Sequence, residues 1–174
     1  MRKSVFQKHL DQLDEESLRE ELKTLYGKID AVRKHYAMEL GSQKDRKRHF
    51  EKAKKEIQAK YATKSYRRPR RPRIQKIYKI ISDVRKTSVF EFEMIDIYLF
   101  NAEEGINFMN RYRYYSAPLF NSISKTFVKA LELIQSNMMH DEYKARVEKI
   151  RDDSIRDREL FNLLKTEIDK VYSE

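Results

Sequence analysis

Apolar residues recur along most of the chain at alternating spacings of three and four, which is the period of an amphipathic α-helix. The clearest run lies in the N-terminal quarter and follows one helical face for five turns. Gly27 lies inside this run and disfavours helix by about 1 kcal/mol relative to alanine. The run is therefore either one helix with a weak point or two consecutive helices. Its apolar positions are Leu18, Leu22, Leu25, Ile29, Val32 and Tyr36.

Two polar residues predict where helices begin in this half of the chain. Asp14 precedes two glutamates, the pattern of an N-cap followed by acidic residues at the positive end of the helix dipole. Ser42 and Asp45 resemble a capping box that opens the next helix. We expect the apolar stripe of that helix to pack on the preceding helix as an antiparallel hairpin. The stripe consists of Phe50, Ala53, Ile57 and Tyr61.

Further amphipathic stripes follow from residue 74 onward, with one ambiguous stretch at residues 89–105. Its start alternates as a strand would, but a second capping-box pattern, Ser88 with Glu91, and the lack of a partner strand favour a buried helix. Ser116 and Pro118 indicate another helix start. The remaining stripes are Ile74, Ile77, Ile81 and Val84; Leu119, Ile123, Phe127, Ala130, Leu131 and Ile134; Tyr143, Val147 and Ile150; and Leu160, Leu164, Ile168 and Val171.

These stripes predict an all-α fold in which an N-terminal helical hairpin packs on a C-terminal multi-helix bundle. We expect the hairpin within residues 1–63, a basic Pro/Arg linker at residues 64–73 and the bundle within residues 74–174. The composition agrees, because three glycines and three prolines in 174 residues leave few turn residues for a sheet. Charged residues make up 38% of the chain, against about 25% in typical domains, as expected for helices with charged outer faces.

The positive charge is concentrated between Ser42 and Arg73. This segment holds fourteen Lys or Arg and three acidic residues, a net +11, whereas the whole chain carries +10. The remainder therefore carries a net −1. Its last part, SYRRPRRPR, places five arginines around two prolines that end the helix. Three interpretations stay open. The segment binds nucleic acid, it binds an acidic protein or lipid headgroups, or it is a solvated helix face whose charges form i,i+4 ion pairs.

A second basic cluster at Asn110–Ser116 alternates arginine with tyrosine, the mixture that single-strand binders use for phosphate contact and base stacking. Tyrosines near helix ends also serve as edges of a core. If the fold brings this loop beside residues 67–73, the two form one basic and aromatic surface. The candidate binding residues are Arg46, Lys47, Arg48, Lys55, Lys64, Arg67, Arg68, Arg70, Arg71, Arg73, Arg111, Tyr112, Arg113 and Tyr114.

Catalytic and metal-binding patterns are absent from the sequence. Without cysteine there is no disulfide, thiolate nucleophile or Cys-based metal site. The four histidines show no metal-ligand spacing, and no glycine-rich phosphate loop or nucleophile motif occurs. We therefore expect a non-enzymatic protein without a cofactor. The longest apolar stretch is too short to span a membrane and the N-terminus is a poor signal peptide, so a soluble, cytoplasmic protein is expected.

Two functions remain from this reasoning. The first is a non-enzymatic binding module for an anionic partner, with nucleic acid as the leading candidate, through residues 42–73. The alternative is a helical protein-interaction or scaffold protein whose apolar stripe from Leu18 to Tyr36 completes its packing against another chain. The two functions can be separated by measuring the oligomeric state, because the scaffold predicts a concentration-dependent dimer.

Three stretches resemble a small family of uncharacterised bacterial all-helical proteins, classified as a domain of unknown function. They are LDQLDEESLREELKTLYGKIDAVRKHY, PRIQKIYKIISDVRK and EEGINFMNRYRYYSAPLFNSISKTFVKALELI. The first is similar to the family's opening L-x-x-L-S-x-E-E-L helix, with Asp14 in place of the serine. The family has an acidic or glycine-containing stretch where this chain has residues 113–115. The resemblance covers most of residues 3–170 and implies an all-helical fold, with no activity to transfer.

Overall fold

The structure is a computed structural model and describes residues 2–172. Within this range the chain forms nine α-helices and no strand. None of these helices combines the length and the apolar character that a membrane span requires. The fold is all-α, as the sequence predicted. The helices are α1 (Lys3–Leu10), α2 (Glu15–Lys28), α3 (Asp30–Glu39), α4 (Gln43–Tyr61), α5 (Ile74–Thr87), α6 (Glu91–Tyr112), α7 (Ala117–Ser136), α8 (His140–Asp153) and α9 (Arg158–Tyr172).

The N-terminal apolar run is split into two consecutive helices. Ile29 adopts an extended conformation, with φ −111° and ψ 110°, and separates α2 from α3. The N-cap prediction at Asp14 is confirmed, because its carboxylate accepts a hydrogen bond from the Ser17 amide at 2.8 Å. Neither α1 nor α2 buries a side chain, and α2 packs chiefly on α3. The chain up to Lys28 therefore lies on the outside of the fold.

The N-terminal helical part packs on the C-terminal bundle through α3 and α4. Ser42 caps α4 as predicted, since its hydroxyl accepts a hydrogen bond from the Asp45 amide at 3.2 Å. All four residues of the α4 stripe are buried, also as predicted. Their helix packs mainly on α5 and α6, whereas the sequence suggested α3 as its partner. The difference arises because α5 and α6 supply the larger apolar surface, while α3 divides its contacts between α2 and α5.

The ambiguous stretch at residues 89–105 is helical, as the sequence favoured, and belongs to α6. This helix lies at the centre of the bundle, packing most extensively on α7 and also contacting α4, α5 and α8. The capping box predicted at Ser88 and Glu91 is wrong. The helix begins at Glu91 itself, with Phe90 as an N-cap that supplies no side-chain bond, so Ser88 is left as the C-cap of α5.

A buried polar cluster fastens the end of α4 to the centre of the bundle. The Tyr61 hydroxyl donates to Asn101 Oδ1 at 2.9 Å, and Asn101 Nδ2 donates to Ser122 and Thr126 at 3.3 and 3.1 Å. Burial raises the pKa of Tyr61, which keeps its hydroxyl protonated and able to donate. Because Asn101 is fully buried, each of these bonds is needed to satisfy it. The cluster thus fixes the point from which the basic linker leaves α4.

Candidate functional site

The linker between α4 and α5 is held in place by its own hydrogen bonds. The Arg73 amide donates to the Lys60 carbonyl at 3.3 Å, which closes the segment into a loop. Inside the loop, Thr63 Oγ1 accepts from the Arg70 amide at 3.0 Å and Ser65 Oγ accepts from the Arg68 amide at 3.1 Å. The prediction that the prolines end α4 is wrong, because the helix already ends at Tyr61, eight positions before Pro69. The prolines instead keep the later part of the segment out of a helix. Its arginines are therefore carried on an ordered loop.

Aromatic side chains join this linker to the loop between α6 and α7. The Tyr66 and Tyr112 ring centroids lie 5.7 Å apart, and Phe108 lies 4.8 Å from Tyr112 and 5.6 Å from Tyr114. On its other side Phe108 contacts Tyr61, at 6.0 Å. These are the offset and edge-to-face distances at which aromatic pairs attract each other. The two basic segments are thus held together although Tyr66 and Tyr112 are forty-six positions apart in the sequence.

A groove lies where the linker, the first turn of α5 and the α6–α7 loop meet. Its volume is about 920 Å³, and we call it the linker groove. No carboxylate is among its lining residues. It is lined by the cations Arg71, Arg73, Lys76 and Lys125, by the tyrosines Tyr78, Tyr114 and Tyr115, and by Pro72, Ile74, Gln75, Ser116, Pro118, Leu119 and Asn121.

The linker groove is electropositive for two reasons. Its four cations form no ion pair within the part of the chain that the structure describes. In addition, α5 and α7 both begin in its lining, and their N-caps, Arg73 and Ser116, make no side-chain capping bond. The first-turn amides and the positive ends of two helix dipoles therefore add to the side-chain charge. An anion would meet little competing negative charge here.

The basic lining continues along the surface between α5 and α7. A second cavity of about 530 Å³ shares Tyr78 and Lys125 with the linker groove, and we call it the α5–α7 extension. It adds three cations, Arg85, Lys86 and Lys129. Arg85 and Lys86 have surface partners, Glu91 at 3.7 Å and Asp83 at 3.1 Å, and pairs of this kind contribute little. Together the two cavities follow most of the length of α5.

The candidate residues on α4 lie elsewhere. Arg46 and Lys47 line a separate cavity of about 670 Å³, whose lining also contains Glu51, Glu93 and Asp96. Arg46 lies 4.0 Å from Glu93, so local carboxylates offset much of this charge. Arg48 and Lys55 are exposed on the outer side of α4, and Lys64, Arg67, Arg68 and Arg70 are exposed on the linker. Arg111 and Arg113 are exposed near the end of α6, beside the half-buried Tyr112.

Of the sequence candidates, Arg71, Arg73 and Tyr114 converge on the linker groove, which the sequence reasoning described only in part. It missed Lys76, Tyr78 and Lys125, because on single helices they resemble solvated faces or core edges, and it included Tyr115 only as part of the cluster at residues 110–116. The missing information is the adjacency of α5 and α7, for which the sequence carries no local signal. The usable signal in the sequence was the alternation of arginine and tyrosine at residues 110–116, which indicated the α6–α7 loop.

Asp96 forms the centre of an ion-pair network beside the α4 cavity. Its carboxylate accepts hydrogen bonds from Lys54 of α4 and Arg146 of α8, and Arg146 also forms a bidentate pair with Glu103 at 2.7 and 2.9 Å. Burial by itself would raise the pKa of Asp96, but the bonds from Lys54 and Arg146 outweigh burial and lower it. The network links three helices and so has a structural role.

Replacing Asp96 by asparagine is expected to lower the free energy of unfolding by about 2 kcal/mol at neutral pH, because bonds to charged groups are worth about 1.5–3 kcal/mol. A carboxyl whose pKa is lowered by folding stabilises the fold above its unfolded pKa, about 3.9, and loses that contribution as pH falls through the folded value. The difference between Asp96→Asn and the parent protein should therefore shrink in urea titrations below about pH 4. A difference independent of pH would contradict this role.

Arg113, which ends α6, is in the left-handed region, with φ 48° and ψ 41°. A side chain in this conformation costs about 1 kcal/mol that glycine avoids. We expect Arg113→Gly to raise the free energy of unfolding by about 1 kcal/mol, measured by urea denaturation. The matched control is Arg111→Gly inside the helix, which should lower it by about the same amount. A destabilising Arg113→Gly would show that the arginine side chain supports the fold.

The chain belongs to a family of unknown function (DUF6155), to which residues 1–174 match. This confirms the sequence-based recognition of an all-helical family without known activity. No curated protein and no solved structure has detectable similarity to the chain. The function must therefore be argued from the residues of the site.

Proposed function

We propose that the protein is a non-enzymatic binding module for an anionic partner, and that the partner is nucleic acid bound without strong sequence preference in the linker groove. One observation carries the proposal: Arg71 and Arg73 of the linker line the same groove as Tyr114 and Tyr115 of the α6–α7 loop. The two candidate segments of the sequence thus contribute to one surface.

The composition of the groove supports nucleic acid over other anions. Four cations in a lining that contains no carboxylate can neutralise phosphates and release their counterions. An acidic protein or a lipid headgroup would be bound by these charges alone and would make no use of the tyrosine rings. The tyrosine rings add flat apolar surface, on which bases stack whatever their identity. The cavity beside α4 lacks this character, because carboxylates in its lining offset its cations.

A salt titration tests the proposal. For a labelled oligonucleotide, log affinity falls by about 0.7 per contacted phosphate for each tenfold rise in salt, so four contacts give a slope of about −3. Fluorescence anisotropy should then show a loss of about 50-fold between about 50 and 200 mM salt. Salt-independent binding, or no binding at the lower salt concentration, would contradict the proposal. Equal binding to anionic vesicles would favour a lipid partner.

A second candidate function is a helical scaffold, and the exposed side of α2 and α3 supports it. A cavity of about 700 Å³ there is lined by Leu22, Tyr26, Tyr36 and Leu40. Leu40 is 80% exposed, and Leu22 and Tyr26 are each 49% exposed. Contiguous apolar surface of this kind is typical of interaction sites. Light scattering should show a concentration-dependent oligomer if the surface is self-complementary; a monomer that captures no partner would contradict the scaffold.

A further inference from the structure

We infer that the linker groove, continued by the α5–α7 extension, takes a single strand whose unpaired bases stack on Tyr115 and Tyr78. This inference rests on the proposed function and specifies the form of the nucleic acid. Both tyrosines line the groove, and Tyr78 also lines the extension. Their positions mark a path that runs from the α6–α7 loop onto the surface between α5 and α7.

The rings of Tyr115 and Tyr78 differ from those of Tyr66, Tyr112 and Tyr114. Tyr112 and Tyr114 pack on Phe108, and Tyr66 packs on Tyr112. By contrast, neither Tyr115 nor Tyr78 has an aromatic neighbour within residues 2–172. Tyr115 is also 51% exposed. Its ring is therefore available to a ligand without disturbing the aromatic cluster that holds the linker.

Ring stacking selects an unpaired base. In a duplex each base is stacked on its neighbours and paired, so a side chain reaches only its edge in a groove. In a single strand the face of a base can leave its neighbours and stack on tyrosine. A duplex could use the cations of the groove but would leave these rings without a partner. Cations and free rings in one lining thus favour a single strand.

The length of the basic lining sets the length of strand that it can hold. Arg73 and Lys86 lie at the two ends of the α5 side, which corresponds to about 20 Å along the helix. Lys125 and Lys129 lie on the α7 side of the same path. A stacked strand advances about 3.4 Å per nucleotide, so about six nucleotides occupy this distance. Affinity should rise with strand length up to about six nucleotides and then level off.

Three probes separate stacking from charge. They are a thymidine hexamer, an abasic hexamer with the same number of phosphates, and a hairpin duplex. We expect the thymidine hexamer to bind at least about tenfold more tightly than the abasic hexamer, and more tightly than the duplex, because stacking adds to the phosphate contacts. Equal binding of all three would overturn this inference and leave the proposed function standing. If none of them binds, both fail.

Tyr115→Ala tests the ring itself, and Tyr26→Ala on α2 is the matched control because its ring is 49% exposed and lies outside the groove. Tyr115→Ala should weaken the thymidine hexamer about tenfold and leave the abasic hexamer unchanged. Tyr26→Ala should change neither. Equal weakening of both probes by Tyr115→Ala would overturn the stacking role. Thermal denaturation of each variant checks that the fold is retained.

Discussion

Tyr61→Ala is expected to lower the free energy of unfolding by about 3–5 kcal/mol, the cost of removing a large aromatic side chain from a core. Tyr61 is 4% exposed, contacts Phe108 and donates its hydroxyl proton to the buried Asn101. Truncation therefore leaves a cavity and an unsatisfied amide oxygen in the same place. Urea denaturation followed by circular dichroism measures the change.

Tyr61→Phe separates the hydroxyl from the ring. This variant keeps the packing on Phe108 and removes only the bond to Asn101, so it should cost about 1–3 kcal/mol, the penalty of an unsatisfied buried acceptor. It should also retain nucleic-acid binding, because the linker stays anchored through the ring. If Tyr61→Ala cost no more than Tyr61→Phe, packing of the ring would not anchor the linker.

The triple variant Arg71→Ala, Lys76→Ala and Lys125→Ala is expected to bind a single strand about 100-fold more weakly than the parent protein. Each contacted phosphate contributes about 0.7 log units of affinity at about 0.1 M salt, so three lost contacts remove about two. All three side chains are exposed and unpaired among residues 2–172, so the fold should be retained. Fluorescence anisotropy at fixed salt measures the loss.

The matched control removes three exposed charges from α4, through Lys47→Ala, Arg48→Ala and Lys55→Ala. The net charge of the two variants is then the same. Because these residues lie outside the linker groove, the control should lose only a few-fold in affinity through long-range attraction. An equal loss in both variants would mean that overall charge, and not the groove, determines binding.

The sequence predicted the helices well because apolar periodicity reports directly which face of a helix is buried. The α4 stripe ending at Tyr61 is an example, since every member is buried as expected. The same stripe does not report what buries it, and its main partners are α5 and α6 rather than α3. An apolar stripe indicates which face of a helix is buried. Which helix packs against that face depends on how the apolar surfaces of all the helices fit together.

The candidate site was less predictable, because it depends on contacts distant in sequence. Charge density indicated the segment at residues 42–73, and the alternating residues indicated the loop at 110–116. Their adjacency depends on Tyr66 packing against Tyr112, forty-six positions apart. The structure also divides the basic block, because Arg46 and Lys47 line a cavity with Glu93 and Asp96 while Arg71 and Arg73 line the linker groove. No local pattern distinguishes these two environments.

The most direct test of the linker groove is the salt dependence of single-strand binding by the two triple variants. The slope of log affinity against log salt is proportional to the number of phosphates that the protein contacts. We expect the variant at Arg71, Lys76 and Lys125 to have a slope about two units shallower than the parent protein, and the α4 variant to keep the parental slope. Equal slopes in the two variants, or a shallower slope only in the α4 variant, would contradict binding in the linker groove.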